Sequence, residues 1–397
     1  MSLQLTSYTA TSCLGVGLDA TWQALRSQRS GLKHCDFETV ALDTWIGEVP
    51  GVDEVRLPAA LQAYDCRNNR LALLGLQQDG FEQAVQQAVG AYGPQRVGVF
   101  LGTSTSGMLQ TELAYRERHA QQGPLPAWFH YQETQNTYSV AAFVRAVLGL
   151  AGPAFVVSTA CSSSSKVYAN AQRMIDAGLI DAAVVGGVDS LCLTTLYGFH
   201  SLQLLSAQPC SPYGAGRNGI SIGEAAAFAL LTRAPAQLDA GVVLLKGVGE
   251  SSDAHHMSAP HPQGLGARLA MQAALQTAGL RAGQIDYINL HGTATPSNDA
   301  AEDQAVCAVF GQRTPPCSST KGHTGHTLGA AGGLEAVISA LALRHQTAPG
   351  GCHTQALDPA LQANYQLANQ EMQLQNVLSN SFGFGGSNSC LILGLAS

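Results

Sequence analysis

The sequence predicts an α/β fold on two observations. Short apolar runs rich in β-branched residues alternate along the chain with longer stretches of helix-forming residues. Of the 397 residues, 46% are hydrophobic and only 12% are charged, so the chain can bury a large core but has little charged surface. Because a surface with so little charge favours contact between subunits, we expect an oligomer.

The elements follow one another in a regular order. Strands are predicted at RVGVFL (96–101), AFVV (154–157), AAVV (182–185), VVLL (242–245), IDYINL (285–290) and SCLIL (389–393). Helices are predicted between them at about 69–91, 134–149, 162–177, 266–279, 299–310 and 328–345.

The order of elements also suggests a duplication. The best candidate for a seam is the short polar segment TRAPAQLDAG (232–241). On each side of it a strand, a loop rich in Ser and Thr, and a helix of small residues follow one another. We therefore expect two duplicated halves, at residues 1–237 and 238–397.

Composition excludes several classes of protein. The net charge of -7 argues against general nucleic-acid binding. No apolar run reaches the length of about 18 residues that a membrane span needs, and the N-terminus lacks the pattern of a signal peptide. None of the ten cysteines has C-x-x-C spacing. We expect a cytoplasmic protein with free thiols.

Cys161 has a distinctive position among these cysteines. The strand-like AFVVSTA precedes it, and a predicted helix that stops at Gly178 follows it. The thiol is therefore expected on a strand-to-helix turn, where free N–H groups and the helix dipole favour the thiolate. A thiolate suits thioester exchange because it attacks readily and also leaves. A buried structural cysteine, or a nucleophilic serine among residues 162–165, is the alternative.

The first histidine motif reads LHGTATPSND and follows the strand IDYINL. His291 is therefore expected at the carboxyl end of a strand, where α/β proteins place their chemistry. Gly292 would let the backbone approach a ligand closely. Thr293 and Thr295 offer hydroxyls that could hold a substrate.

The second histidine motif reads TKGHTGHTLGAAGGLE, in which His326 precedes a helix start with almost no side-chain bulk. Lys321 and Glu335 lie in the same setting and need partners if they are buried. A rival interpretation is zinc bound by His291, His323 and His326. However, H-x-x-H on a glycine turn is not H-E-x-x-H, and no carboxylate has a matching position. We predict no metal and no other cofactor.

Four motifs, in this order, resemble the β-ketoacyl-acyl carrier protein synthases of the elongating type, in the thiolase-fold superfamily. They are TACSSSS around Cys161, HGTATPSND around His291, KGHTGHTLGAAG around Lys321 and His326, and NSFGFGGSN at 380–388. The resemblance spans nearly the whole chain and implies a thiolase fold, with two duplicated αβα halves that form a five-layered α-β-α-β-α core. It implies decarboxylative Claisen condensation of an acyl thioester with malonyl carrier protein, in fatty acid or polyketide biosynthesis.

The resemblance implies roles for the residues that match these motifs. Cys161 would accept the acyl chain from a carrier protein. His291 and His326 would promote decarboxylation and hold the developing enolate oxygen. Lys321 would support the histidines electrostatically, with Glu335 in the same network.

The resemblance also implies how the acyl thioester is held. The backbone N–H groups of Cys161 and Phe384 would form its oxyanion hole. Phe382 and Phe384, which lie among glycines, would gate the path from the thiol to the acyl tunnel. Two departures stand out: Ala294 replaces the usual glycine, and the loop GTSTSG (102–107) is more polar than is usual beside an acyl pocket.

The expected partners follow from the same family. Carrier proteins are acidic, so Arg67 and Arg70 are candidate contacts at the mouth of the site. A homodimer or a heterodimer with a ketosynthase-like chain-length subunit is expected. The segments YTATSCLGVG and YDCRNNRLAL are most similar to ketosynthases of aryl polyene-type clusters.

Two alternatives belong to other functional classes. The first is a non-catalytic chain-length subunit, but such subunits lack the cysteine and often the histidines that are present here. The second is a thiolase or an initiating synthase that uses coenzyme A thioesters. Thiolases use a second cysteine as base, and Cys390 lies in that region but inside the strand SCLIL. Initiating synthases normally use one His and one Asn, whereas this chain has two histidines.

Overall fold

A computed structural model of the protein describes residues 3–311 and 313–396. The strands are β1 (Leu3–Ser12), β2 (Gly15–Val16), β3 (Lys33–His34), β4 (Trp45–Gly47), β5 (Val97–Gly102), β6 (Ala154–Val157), β7 (Ala182–Asp189), β8 (Ile222–Gly223), β9 (Ala225–Arg233), β10 (Val243–Ser252), β11 (Tyr287–Asn289), β12 (Cys317–Ser318), β13 (Thr347–Ala348), β14 (Gln370–Glu371), β15 (Asn376–Gly383) and β16 (Ser387–Leu395). The helices are α1 (Leu18–Arg26), α2 (Arg67–Leu76), α3 (Phe81–Tyr92), α4 (Met108–Gln121), α5 (Ser139–Val147), α6 (Ser163–Asp176), α7 (Leu193–Ser201), α8 (Leu265–Ala278), α9 (Pro296–Phe310), α10 (Lys321–Thr324) and α11 (Ala331–His345).

The main strands form two groups with the same order. The first group runs β6-β5-β7-β9-β1 and the second runs β12-β11-β15-β16-β10. If the strands of each group are numbered along the chain, both orders read 3-2-4-5-1. In each group the first three strands of this order pair in parallel. The fourth strand pairs antiparallel with the third, and the fifth pairs antiparallel with the fourth. β1 and β10 also pair, at Leu3 and Leu245, which joins the two groups.

The helices complete a five-layered core. α6 and α11 contact each other and strands of both groups, so they form the central layer. α2, α3 and α5 cover the outer face of the first group, and α8 and α9 cover the outer face of the second. α11 is buried from Ala331 to Leu343, as its lack of polar and bulky residues near the start predicted. The α/β prediction is confirmed.

One predicted helix is wrong. The stretch 69–91 is two helices, α2 and α3, because Asp79 and Gly80 between them have the left-handed φ values 55° and 68°. The Asp79 carboxylate accepts hydrogen bonds from the Leu18 N–H and the Thr9 hydroxyl, which fixes the break against β1 and α1. The sequence prediction also omitted β1, β9 and β15 and the helices α1, α4 and α7. Among the described residues, no helix is long and apolar enough to cross a membrane.

Candidate active site

Cys161 lies where the sequence predicted, between β6 and α6. The preceding residue, Ala160, has a left-handed φ of 51°, so the chain turns sharply just before the thiol. Gly102 packs against the first turn of α6, where a Cβ atom would lie 2.2 Å from the Ser164 nitrogen. The nucleophile therefore sits on a turn that is packed from behind and open only towards a cavity.

The thiol is held in its neutral form. Burial raises the pKa of Cys161 to about 11 and outweighs the opposing effects of the Lys321 charge and of the Phe384 and Cys161 backbone N–H groups. We had expected the turn to favour the thiolate, but desolvation has the larger effect here. The backbone N–H groups of Phe384 and Cys161 both act on the sulfur, and their role as an oxyanion hole stays a prediction.

His326 contacts the nucleophile directly. Its Nε2 lies 3.0 Å from the Cys161 Sγ. Its backbone is held on both sides, because its N–H donates to the Ser221 carbonyl and its carbonyl accepts from the Gly223 N–H. Burial, followed by the nearby Lys321 charge, holds the pKa of His326 well below its usual value, so the imidazole is neutral.

His291 lies beside His326, with ring centroids 5.3 Å apart and rings nearly perpendicular. The Lys321 Nζ donates to the His291 carbonyl at 2.6 Å and lies 3.4 Å from its Nδ1. Because an ammonium group can only donate, Nδ1 must accept, and the ring proton stays on Nε2. Burial, followed by Lys321 and His326, lowers the pKa of His291 well below its usual value.

Lys321 and Glu335 form the ion pair that the sequence required of them. The two side chains are 1% and 4% exposed and are joined by a short hydrogen bond. The second Glu335 oxygen, Oε2, has no partner among the described residues. Burial raises the pKa of Glu335 although the Lys321 charge opposes it. The pair places one positive charge directly behind His291.

The sequence analysis missed Glu302, which supports the first histidine turn. Its carboxylate accepts the N–H groups of His291 and Gly292 at 2.8 and 2.7 Å and the Asn380 amide at 3.0 Å. Burial raises its pKa to about 7. Three acidic residues in the first turns of the alanine-rich helix DAAEDQAVCAVF were the available signal.

A cavity of about 50 Å³ brings the predicted substrate groups together. Its lining includes Cys161, His291, Thr293, Thr295, His326, Phe382 and Phe384. The Thr293 and Thr295 hydroxyls are hydrogen-bonded to each other at 2.9 Å. The segment 258–260, which the sequence analysis did not single out, lines the same cavity.

The two phenylalanines have different settings. The Phe382 ring is buried and lies 5.8 Å from the His291 ring, centroid to centroid. Phe384 is partly exposed and packs on Phe199 at 5.6 Å. Gly385, with a φ of 80° and no neighbour that would oppose a Cβ atom, follows it. Phe384 therefore has the freer backbone.

The structure contradicts one predicted carrier contact. The Arg67 side chain is only 4% exposed, because its guanidinium forms two hydrogen bonds with the fully buried Glu224 and further ion pairs with Glu48 and Asp53. It cannot lie on a docking surface of this chain. Arg70 is 24% exposed and is paired with Asp65, so its role stays a prediction.

The geometry does not support His323 as a zinc ligand or Cys390 as the base of a thiolase. The His323 nitrogens contact the carbonyls of Arg29 and Gly350, away from the cavity. Cys390 is buried in β16 and is absent from the cavity lining, so it does not take the place of a thiolase base. The ligand atoms of Cys161, His291 and His326 lie within 4.8 Å of one another, close enough for a metal ion to reach all three.

These features define a class of protein: an α/β protein in which two groups of strands repeat one order and a buried Cys-His-His cluster lines a cavity. Residues 4–236 match the β-ketoacyl synthase N-terminal domain, and residues 242–355 match the β-ketoacyl synthase C-terminal domain. The chain belongs to the β-ketoacyl synthase family.

Named relatives agree with this assignment. The chain is 31% identical to 3-oxoacyl-[acyl-carrier-protein] synthase 2 of Coxiella burnetii, over 98% of this chain and 97% of the relative. It is 30% identical to the synthase of the same name from Vibrio cholerae, over 96% of each. A match to the mitochondrial 3-oxoacyl-[acyl-carrier-protein] synthase of Arabidopsis thaliana is 37% identical but spans only 62% of this chain and 57% of the relative.

A solved structure gives a more specific comparison. The ketosynthase ApeO, in complex with its chain length factor ApeC from Xenorhabdus doucetiae, is 39% identical, with a TM-score of 0.91 over 100% of this chain and 98% of that chain. A β-ketoacyl synthase from Burkholderia phymatum is 26% identical, with a TM-score of 0.87 over 100% of both chains. The thiolase fold is thereby confirmed, and the protein is an acyltransferase of the ketosynthase class that acts in fatty acid or polyketide condensation.

Proposed function

We propose that Cys161 carries the growing acyl chain. Its sulfur attacks the carbonyl of an acyl thioester on the carrier protein, a new carbon–sulfur bond forms and the carrier thiol leaves. The His326 Nε2–H, 3.0 Å away, donates to the sulfur as it becomes the nucleophile, and the Cys161 proton ends on the departing carrier sulfur. The N–H groups of Cys161 and Phe384 stabilise the oxyanion while the carbonyl is tetrahedral. This thiol–imidazole contact is the observation that carries the proposal.

The two histidines then serve the malonyl unit. Its carbon–carbon bond to the carboxylate breaks, carbon dioxide leaves, and the electron pair forms an enolate whose charge rests on the thioester oxygen. The His291 Nε2–H, kept in that tautomer by Lys321, and the His326 Nε2 donate to this oxygen. The enolate carbon attacks the acyl-Cys161 carbonyl, and the Cys161 sulfur leaves. Glu335 anchors Lys321, and Thr293 and Thr295 hold the pantetheine arm.

The test separates the two half reactions. Malonyl-loaded carrier protein is offered to the wild type, to Cys161→Ala and to His326→Ala, and carbon dioxide and acyl-enzyme are followed. We expect Cys161→Ala to lose acyl-enzyme but keep decarboxylation. We expect His326→Ala to lose decarboxylation by about 100-fold to 1000-fold, because one preorganised donor is worth that much. Acyl-enzyme formed normally by Cys161→Ala would refute the assignment.

A matched control is available in the same fold. Cys390 is a buried thiol outside the cavity, so Cys390→Ala makes the same chemical change without touching the nucleophile. It should keep both half reactions, whereas a thiolase mechanism would require its loss to be severe. Release of carbon dioxide also separates the elongating reaction from that of a thiolase, which uses no malonyl unit.

We further propose a heterodimer with a ketosynthase-like chain-length subunit. In the described part of the chain β6 pairs only with β5, so its outer edge is open, and its Phe155 is 48% exposed. α5 packs on β6, and the preceding segment exposes Tyr131 and Trp128. An open strand edge beside exposed aromatic rings favours pairing with another chain. ApeO, the 39% identical neighbour, is in complex with its chain length factor.

Native mass measurement tests the assembly. The chain is expressed alone and together with the ketosynthase-like product of a neighbouring gene, and the masses are compared. A 1:1 complex is expected, and Phe155→Lys should break it. Tyr92→Lys, an equally exposed aromatic at the end of α3, should not. A stable homodimer whose mass is unchanged by the co-expressed chain would favour the homodimer instead.

The halves are proposed to divide at residues 237 and 238, in the stretch between β9 and β10 that separates the two repeated strand orders. The cytoplasm is the proposed compartment, since all ten cysteines are free thiols.

Arg70 stays the proposed carrier contact, and Arg70→Glu should raise the KM for carrier protein without changing kcat. An aryl polyene-type, conjugated substrate is proposed from the similarity to ApeO and is tested by comparing enoyl-loaded with saturated acyl carriers.

A further inference from the structure

A buried carboxylate behind the nucleophile has no part in the chemistry described so far. Asp189 is the last residue of β7 and is fully buried. Its Oδ1 accepts the Thr103 hydroxyl at 2.6 Å and both the N–H and the hydroxyl of Thr105 at 2.9 Å. The Ser104 N–H lies 2.8 Å from the same oxygen. One carboxylate thus consumes most donors of the polar loop that follows β5.

The other carboxylate oxygen reaches into the second half of the molecule. Asp189 Oδ2 accepts the Gly329 N–H at 2.5 Å and the Ser104 hydroxyl. Gly329 lies three residues after His326, and a Cβ atom on it would be 2.7 Å from Oδ2. The contact is therefore so close that only glycine fits. Asp189 joins the loop behind Cys161 to the segment that leaves His326.

Both segments that Asp189 holds are strained. Ser106, next to the first, has a φ of 45°, and Leu328, next to Gly329, has a φ of 52°. Left-handed conformations are unfavourable for residues other than glycine and persist only where surrounding contacts determine them. A carboxylate that accepts donors from both segments is such a contact.

We propose that Asp189 is a positioning residue that sets the register between Cys161 and His326. The loop that it holds begins at Gly102, which packs on the first turn of α6 directly behind the nucleophile. The segment that it holds leads from His326 into α11. The Gly333 N–H of α11 donates to the Ser164 hydroxyl of α6 at 2.8 Å, so the two helix starts are also joined directly. This assignment rests on the proposed function, since it concerns the pair that transfers the acyl chain.

The pH at which the Cys161 thiol ionises distinguishes a positioning role of Asp189 from a purely structural role. Burial has the largest effect in raising the pKa of the Cys161 thiol and the Asp189 charge raises it further, while Lys321 and the N–H groups of Phe384 and Cys161 lower it. The imidazoles of His291 and His326 are neutral and add no charge. Loss of the Asp189 charge should therefore make the thiolate form at lower pH, even though the geometry for acyl transfer becomes worse.

The test combines alkylation with turnover. Iodoacetamide labelling of Cys161 is followed against pH by peptide mass spectrometry in the wild type, Asp189→Asn and Thr105→Val. Acyl transfer from carrier protein and the melting temperature are measured on the same samples. For Asp189→Asn we expect a labelling profile at lower pH and a fall in the kcat of acyl transfer of about 100-fold, as misplacement of a catalytic group by about 1 Å causes, with KM unchanged. Thr105→Val keeps the charge, so its kcat should fall less and its labelling profile should stay.

Asp303→Asn is the control for loss of a buried carboxylate. Asp303 accepts the N–H groups of Gln362 and Ala363, away from the cavity, so its variant should keep the labelling profile and kcat. The proposal is overturned if Asp189→Asn keeps kcat within twofold, or if it loses kcat and melting temperature together while its labelling profile stays. Failure of the proposed function is distinguishable, because the wild type would then form no acyl-Cys161 although the labelling profiles would still differ.

Discussion

The two halves of the molecule have the same strand order but place different chemistry after equivalent strands. In the first half, the third strand, β6, leads to Cys161, while in the second half its equivalent, β12, leads to Lys321 and His326. The second strand leads to the hydroxyl loop 103–106 in the first half and to His291 in the second. In the proposed function, one half thus supplies the nucleophile, and the other supplies the groups that contact its sulfur and hold the enolate.

The buried charged residues that hold these turns also differ between the two halves. Asp189 anchors the loop of the first half through hydroxyl and backbone donors, and Glu302 anchors the His291 turn through two backbone donors and the Asn380 amide. Among the residues that the structure describes, only the second half places a buried cation, Lys321, beside the reacting groups. The duplication supplied a scaffold for two turns, and the charged residues behind each turn determine its chemistry.

The largest effect is expected from breaking the ion pair of the second half. Lys321→Met leaves Glu335 buried without a cation, which should lower the free energy of unfolding by about 3–5 kcal/mol. It should also abolish decarboxylation, because the His291 Nδ1 loses its donor. Urea denaturation and release of carbon dioxide measure the two effects. The double variant Lys321→Met/Glu335→Leu should regain stability but not activity; recovery of both would contradict the role given to Lys321.

The first half has its own buried ion pair, which should behave differently. Arg67→Met removes the cation from Glu224, whose carboxylate keeps the N–H groups of Val49 and Leu191. We expect a loss near the lower end of the same range, about 3 kcal/mol, by urea denaturation. The KM for carrier protein should not change, because Arg67 is buried. A raised KM at unchanged stability would restore Arg67 as a docking residue.

The comparison of these two buried ion pairs also shows which features the sequence could predict. The sequence could predict Cys161, His291 and His326 because each lies in a local motif that follows a strand. The burial of Arg67 was not predictable, because its partner Glu224 lies 157 residues away and a polar helix face looks the same whether it is solvated or paired. Asp189 likewise acts on a loop 86 residues earlier in the chain. The break between α2 and α3 depends on Asp79 meeting Thr9, a tertiary contact.

The dependence of stability on pH should separate the two halves further. Burial raises the pKa values of Glu302 and Glu335 to about 7, so between about pH 4.5 and 7 the folded state binds extra protons and the contribution of these two groups to stability falls as pH rises. The lowered pKa values of His291 and His326 act in the opposite direction: their contribution is lost as pH falls below about 6.5. The carboxyl and imidazole effects therefore offset each other.

Glu302→Gln removes one of the two carboxyl groups from this balance. Between about pH 5 and 6.5 its free energy of unfolding should rise with pH more steeply than that of the wild type, by up to about 1.4 kcal/mol per pH unit. Urea denaturation at several pH values measures the slope. Asp181→Asn in the first half is the control, since Arg96 holds the pKa of Asp181 below its usual value and outside this range. An unchanged slope for Glu302→Gln would mean that the carboxyl group is already ionised throughout.

The smallest effect concerns a left-handed residue that each half has in the loop after its second strand. Ala294 has a φ of 66° and Ser106 a φ of 45°. Ala294→Gly relieves about 1–2 kcal/mol of strain but adds freedom to the unfolded chain, so stability should rise by less than about 1 kcal/mol. Ser106→Gly should instead lower stability by about 1–2 kcal/mol, because the Ser106 hydroxyl lies 3.0 Å from the carbonyls of both Thr134 and Asn136. If thermal unfolding gives stability changes of opposite sign for the two variants, strain is tolerated in the histidine loop but is compensated by hydrogen bonds in the hydroxyl loop. Stability changes of the same sign would contradict that distinction.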